Sequence, residues 1–499
     1  MKRFKITFLS GLLFFSCYLF AQSPGGIVKH SVWLKGNFFS DPDRLALLNF
    51  NPAVALEKSD ASIKLHDNIE SLQRVTIFTV YHDSLTNEEK QVWEMTGEFG
   101  DLLLTTNHVS SKSEKTNVVF EKSKPNTSNP KSEAIIHSYS SHNAGWFASN
   151  NFEYKESSIR FGKSASSESA DGSLKSIAEF ILYEKVLNEM EMTKIETYLA
   201  LKYGITLGKN YLSASGETVW NWDNDNRFSN NIAGISRDDQ SSLLQKQSTS
   251  CTSSEQLIIG VNKIVQSNSE NTGLVNEGDF LIWGDNAENF RLDRNAEVGA
   301  GEMMLPEKKW LMKASGNSTK TIATELKIDT RKFLPGNFPK ESFFLVINRS
   351  GSDNFVKGNC IYITPDSISS DRIASFSNVY WDTDGSGKDA FTFGFKPSMP
   401  ALMNSNREST NKKDASNLIS FKVYPNPVFD GNYQVAVNLD KPTDVLFQIY
   451  DLLGEQIFFQ KGTGQNSYLF TGRIDAPPAP YVVRLVTSEA DLYRIIVLQ

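Results

Sequence analysis

The stretch that most narrows what this chain can become is Ser176 to Leu207, SIAEFILYEKVLNEMEMTKIETYLALKYGITL, which holds a strand, a helix and the joint between two modules. Ile177 to Leu187 is apolar on both alternating sets of side chains. Ala178, Phe180 and Leu182 form one set and Ile177, Ile181 and Tyr183 the other, with Glu179 as the interruption. A strand of that kind has to be covered on both faces. Asn188 is placed to cap the next segment, and Glu191 three residues on completes a capping box, so the spacing predicts a helix from there. Met192, Ile195, Leu199 and Tyr203 recur at steps of three and four, one apolar stripe that the pattern lays on the preceding sheet. Gly204 ends it, because glycine accepts the left-handed turn that closes helices and Ile205 can fold back onto the last turn.

This strand, helix and Lys202-Tyr203-Gly204-Ile205 sequence resembles the closing segment of the concanavalin/laminin-G type jelly-roll module of exported Bacteroidota proteins. The resemblance implies a sandwich over residues 22–207. Upstream, the runs Ser31 to Leu34, Val75 to Tyr81, Leu102 to Thr105, Asn117 to Phe120, Ala134 to Tyr139 and Ser158 to Phe161 are separated by turns rich in Ser, Asn, Gly and Lys. That spacing suits antiparallel strands.

Lys2, Arg3 and Lys5 precede an apolar run from Ile6 to Phe20, and Ala21-Gln22 offers a cleavage point, the pattern of a signal peptide over residues 1–21. Phe14-Phe15-Ser16 before Cys17 is a poor lipobox, which disfavours a lipid anchor. The run is too short for a spanning helix and nothing later approaches that length, so a secreted mature chain without a transmembrane anchor is expected. The 499 residues leave room for three domains. A net charge of −7 with no basic block argues against nucleic acid as a partner. After cleavage two cysteines remain, Cys251 and Cys360, either a disulfide or two separate thiols.

Concanavalin-like sandwiches include glycosidases, so carboxylates matter. Glu94 and Glu98 are the nearest pair, about 13 Å apart along a strand at ~3.3 Å per residue. Paired catalysis needs carboxyls roughly 5 to 9.5 Å apart. All six histidines lie between His30 and His142, with no metal-ligand spacing among them. No catalytic residue is assigned.

The second module, residues 208–396, reads as another antiparallel sandwich, with strands at Asn231 to Ile235, Leu257 to Val261, Phe280 to Trp283, Trp310 to Lys313, Thr321 to Leu326, Phe343 to Ile347, Cys360 to Ile363 and Phe391 to Phe395. The segments NNIAGISRDDQSSLLQKQS, GDFLIWGDN and DAFTFGF resemble a module of unassigned function that follows the jelly roll in many exported Bacteroidota proteins. Asp382, Asp384 and Asp389 flank Gly385 and Gly387 as a calcium loop begins, but Phe393 stands where the bidentate glutamate belongs. A glycine-rich hairpin turn is the competing reading, so no cofactor is expected unless it is calcium. Trp222, in the Asn221 to Asn226 loop, and Trp146, in Asn143-Ala144-Gly145-Trp146-Phe147, are either sugar-stacking platforms or core residues.

Residues 397–420, rich in Pro, Ser, Asn and Lys, read as a linker. Beyond them Tyr433 to Leu439, Val445 to Ile449 and Tyr481 to Leu485 alternate as half-buried strands of an immunoglobulin-like sandwich. Val423-Tyr424-Pro425-Asn426-Pro427, Gly431, Ile449-Tyr450-Asp451-Leu452-Leu453-Gly454, Tyr481-Val482-Val483-Arg484 and Arg494-Ile495-Ile496-Val497 resemble the type A C-terminal sorting domain of the type IX secretion system, over residues 421–499. The family usually has glycine where Pro480 precedes the tyrosine. This resemblance implies export to the outer-membrane surface or the medium, with the type IX machinery as partner. The cargo then reads as an all-β, non-catalytic binder of glycans or envelope polymers, or alternatively as a polysaccharide hydrolase.

Overall fold

The computed structural model describes residues 22–36, 45–56, 61–64, 74–83, 89–97, 100–112, 117–122, 134–141, 158–162, 174–251, 257–290, 303–333, 338–355, 359–396, 418–451 and 455–498. Within them the chain is all-β apart from one α-helix, Glu189–Tyr203, and short 3-10 turns. Residues 1–21, Trp146, Glu98, Gly454 and most of the expected linker lie outside the described residues.

The first sandwich has two six-stranded sheets. One runs in the order Ala134–Ser141, Val75–His82, Ser176–Tyr183, Asn51–Ala55, Leu45–Leu48, with Val32–Lys35 also paired to Ser176–Tyr183. The other runs Ala61–Lys64, Ser158–Phe161, Gln91–Gly97, Gly100–Thr105, His108–Lys112, Asn117–Lys122. Val75, Ile77, Phe180 and Leu182 of the first meet Trp93, Met95, Leu104 and Phe161 of the second in a hydrophobic core.

The central strand departs from simple alternation. Its register against Val75–His82 shifts between Ile177 and Glu179, a bulge that sets two consecutive residues on one face. Ile177, Phe180 and Leu182 therefore point into the sandwich, while Ala178, Ile181 and Tyr183 point out toward the helix. The expected grouping of Ala178 with Phe180 is corrected by that bulge.

The second sandwich packs a seven-stranded sheet on a five-stranded one. The seven-stranded order is Leu243–Gln245, Asn230–Asp238, Phe280–Asp285, Trp310–Ser315, Lys388–Phe395, Phe343–Asn348, Cys360–Ile363. The other sheet runs Gln247–Ser248, Ile258–Val261, Thr324–Asp329, Ile373–Val379, Ser367–Ile368. Stacked rings fill the space between them, Trp310 on Phe391 at 5.6 Å and Phe343 on Phe393 at 5.7 Å.

The helix begins at the predicted capping box, with Glu191 N donating to Asn188 Oδ1 and Asn188 N donating to Glu191 Oε2, each at 2.9 Å. It closes at Gly204 in the left-handed region, φ 66°. One apolar stripe on one sheet was the expectation, yet Thr193, Glu196, Thr197, Tyr198, Ala200 and Leu201 are buried as well. The reason is a second cover. Phe78, Val80, Ala178 and Ile181 of the first sandwich lie in one cluster with Ile195 and Leu199 of the helix and Ile232, Ile282 and Leu311 of the second. The helix is thus the middle layer between two sandwiches and belongs to both.

The C-terminal sandwich has its own core of Val435, Val437, Phe447, Ile449, Tyr468, Phe470, Val483 and Ile496. The two strands expected at Tyr433 to Leu439 and Val445 to Ile449 are one strand of 19 residues, Asn432–Tyr450. Its first half pairs with Leu418–Tyr424 and its second with Pro480–Val486, which in turn pairs with Asp491–Val497. Gln456–Arg473 follows almost the whole length of the long strand.

Candidate functional site

The residues behind the sorting-domain resemblance split into two groups. Asn426 Nδ2 donates to Ile495 O at 2.8 Å and Asn426 Oδ1 accepts from Val497 N at 3.0 Å, so the Tyr424-Pro425-Asn426-Pro427 turn is sewn to the last strand. Gly431 has φ 79°, and its carbonyl accepts from Ile474 N. Asp451 Oδ1 accepts from Glu455 N at 2.8 Å and closes the turn between the two long strands. Tyr481 is buried and its hydroxyl donates to Pro477 O at 2.7 Å, as corner tyrosines of immunoglobulin-like sandwiches do. Pro480 opens that strand opposite Val497.

These residues hold the fold. Tyr450 and Arg484 instead share the face opposite that core, on the neighbouring strands Asn432–Tyr450 and Pro480–Val486, and Arg484 makes a forked pair with Asp491 at 2.9 and 2.7 Å. That pair raises the guanidinium far above its ordinary value, its hydrogen bond to Asp491 outweighing partial burial. Tyr424 and Pro425 are exposed.

A different arrangement sits at the seam of the first two modules. Glu179 has no exposed surface. Its Oε1 accepts from Trp33 Nε1 at 2.6 Å and Tyr198 OH at 2.7 Å, and its Oε2 accepts from Lys202 Nζ and Tyr203 OH, both at 2.7 Å. Burial pushes this carboxyl up, but the Lys202 charge and the hydrogen bonds outweigh it and hold it below the usual range. Burial, with the carboxylate beside them, raises Tyr198 and Tyr203 well above a free phenol, so both remain neutral donors. With four donors satisfied and no exposure, Glu179 is a fastener rather than an acid or base.

The hairpin tip of the first sandwich extends the seam. Asn49 Nδ2 donates to Lys202 O and Ser248 Oγ, and Asn51 Nδ2 donates to Lys202 O and Gln245 Oε1. Both amides converge on the Lys202 carbonyl, one of those that the end of the helix leaves open. None of these residues stands out in the sequence except Glu179, whose charge inside an otherwise apolar strand was the available signal.

The other candidates fall as follows. Trp222 is half-buried against the shared core, so part of its indole is already spent on packing. Asp382 Oδ1 accepts from Gly387 N, and Asp389 Oδ2 accepts from Asp382 N and pairs with Arg349 at 2.7 Å. Asp384 Oδ1 accepts from Ser386 N. The loop is a turn closed by its own aspartates, and burial raises the Asp389 carboxyl. No group of three or more His, Cys, Asp or Glu among the described residues is arranged to hold a metal ion. The disulfide considered for Cys251 and Cys360 is not formed. Cys251 Sγ donates to Tyr203 O beside the helix end, and Cys360 lies on the edge strand of the second sandwich. Glu94 lies 4.0 Å from Arg160 on the neighbouring strand. Burial pushes His137 down to about 4, so its ring is neutral. No helix among the described residues is long and apolar enough to cross a membrane.

Residues 191–386 match a family described as a domain of unknown function, DUF8202. The match opens inside the helix, as its shared packing would suggest. No protein of curated function matches the chain. Among solved structures it resembles the Parabacteroides merdae beta-glucuronidase with glycerol in its active site, at 12% identity and a TM-score of 0.15, over 35% of this chain and only 28% of that one. It resembles a botulinum neurotoxin type C structure concerned with interaction with two ganglioside molecules, at 11% identity and a TM-score of 0.23, over 70% and 84% of the two chains. A leech intramolecular trans-sialidase complexed with 2,7-anhydro-Neu5Ac follows at 9% identity and 0.21, over 94% and 66%. TM-scores this low carry neither a fold nor an activity across.

Proposed function

We propose that this chain is a non-catalytic binding protein exported by the type IX route, with residues 421–499 as its address and the two welded sandwiches as its cargo. The observation that carries the reading is the motif set itself. Tyr424 to Pro427, Gly431, Asp451 and Tyr481 occupy the turns and ties of a sandwich with a core of its own, which is what a portable recognition module requires. The test is deletion of Phe421 to Gln499 in an exporting cell, followed by fractionation. The truncated chain is expected to stay in the periplasm, and normal surface display would refute the address.

For the cargo, the favoured ligand class is a glycan or an envelope polymer, and the favoured activity is binding without cleavage. Three acidic groups considered for hydrolysis are engaged elsewhere: Glu179 by four donors, Asp389 by Arg349, and Glu94 beside Arg160 at 4.0 Å. A glycan array on Gln22 to Lys396, which keeps both halves of the shared core, with a reducing-sugar assay on the same samples, separates the outcomes. Binding without turnover is expected. Turnover would favour the hydrolase, and a clean array from folded protein would end the glycan reading.

A further inference from the structure

We propose that the outward face formed by the second half of Asn432–Tyr450 with Pro480–Val486 and Asp491–Val497, together with the free edge of the Gln456 to Lys461 segment beside it, docks an extended strand of a protein partner. This rests on the sorting reading and adds the surface and the chemistry through which that address is read.

The register places Tyr493, Arg484, Gln448 and Phe459 in one row across four strands. On the long strand Val445, Phe447 and Ile449 turn inward and are buried, so Gln448 and its neighbours in the row turn outward. Phe459 is 58% exposed and Ile457 beside it 38%. Side chains so exposed add little to the sandwich's own core, and an exposed apolar cluster on a folded domain marks an interaction surface. At the centre Arg484 is already neutralised by Asp491 and lies near the Tyr493 ring, 5.9 Å from its centroid. The face thus presents arginine, tyrosine and phenylalanine, the composition of an interface hot spot, with the Arg484 charge already matched by Asp491.

The edge decides what kind of partner fits. Among the described residues Gln456–Arg473 pairs with Asn432–Tyr450 alone, so along its 18 residues the outward N–H and C=O groups have no strand beside them. Exposed edges are ordinarily guarded by charge, proline or shortness. Here the segment Gln456 to Lys461 holds one charge, Lys461, and the whole strand holds Lys461 and Arg473 with no carboxylate. A sugar could stack on Phe459 but would leave the main-chain edge unused. A neutral or acidic strand uses both, its backbone pairing with the edge and its alternate side chains resting beside Phe459 and Ile457.

The test uses the full-length chain in exporting cells, with the share reaching the surface or medium read by fractionation. Phe459→Asp and the milder Phe459→Gln are compared with Leu469→Asp, and the deletion of Phe421 to Gln499 runs alongside. Leu469 is 59% exposed on the same strand but opposite Ala436 in the first half of the long strand, away from the Gln456 to Lys461 edge, which makes it the matched control. Both Phe459 variants are expected to lower the exported share, Phe459→Asp by roughly tenfold, as loss of an aromatic anchor does. Leu469→Asp should stay within about twofold, as exposed substitutions generally do. Thermal unfolding of the purified variants identifies any that fail to fold, and Phe459→Gln then decides. Wild-type export of folded Phe459→Gln, or an equal loss in Leu469→Asp, overturns the docking face. Wild-type export of the deletion instead overturns the sorting reading beneath it.

Discussion

Replacing Glu179 by alanine should be among the most damaging single changes in the first two modules. The substitution leaves Lys202, which is largely buried, without its counter-ion and takes the acceptor from the Trp33 indole and two tyrosine hydroxyls. Breaking one side of a buried pair costs roughly 3–5 kcal/mol, and the orphaned neutral donors keep the figure at the upper end of that range rather than adding to it in full. Lys202→Met should cost less, because three neutral donors still hold the carboxylate. The pair Glu179→Leu with Lys202→Met should recover much of the loss, since two apolar groups leave no buried charge. Urea unfolding followed by tryptophan fluorescence reads all four proteins. The fold holds this carboxyl below its ordinary 4.5, because the Lys202 charge and the hydrogen bonds outweigh the upward push of burial. Its contribution is therefore complete above the unfolded value and fades as the pH falls through the folded one. The gap between the native chain and Glu179→Gln should accordingly be widest near neutrality and narrow on acidification below that value. A loss under about 1 kcal/mol for Glu179→Ala, or a gap that widens in acid, would refute this account.

Two other perturbations test separate features. Gly204→Ala forces a side chain into the left-handed region and drives its Cβ against the Thr249 carbonyl, so a loss of roughly 2–4 kcal/mol is expected in the same unfolding assay, and a neutral result would mean that the helix end moves away from the second sandwich. Asp382→Ala with Asp384→Ala removes turn acceptors for Gly387 N and Ser386 N, so a melting temperature modestly lower and unchanged by calcium is expected; a calcium-dependent rise in the native chain that the double variant loses would instead put an ion in that loop.

Much of the architecture is written locally. The capping box at Asn188 and Glu191 and the left-handed Gly204 depend on residues within one turn, and short-range spacing exposes them. Short apolar runs bounded by polar turns, such as Phe343–Asn348 and Cys360–Ile363, are equally legible. What escapes is set by distant partners. The bulge after Ile177 exists because Glu179 must face the helix, which no alternation rule contains. Gln456–Arg473 carries Gly462, Gly464 and Gly472 and reads as turns, yet pairing along a long neighbour makes it a strand. Asn49 and Asn51 look like ordinary turn residues until the helix end that they cap, some 150 positions later, is brought to them. At the candidate docking face Arg484 and Tyr450 belong to a visible motif, whereas Phe459 gains meaning only through the register that sets it beside them.

The helix shared by the two sandwiches also governs the order in which the chain can mature. Trp33 waits for Glu179, 146 positions downstream, and Asn49 waits for Ser248, 199 positions downstream. Closing loops of that size is slow, because the ordering cost falls due before the contacts form. During that interval the helix face that packs on the second sandwich, Leu201 included, lies open to water until Ile282 and Leu311 have been made and have folded into their own sheet. A nascent chain paused at residue 207 is therefore a sticky half-product, and until the second sandwich arrives this segment is a natural client for a holding chaperone.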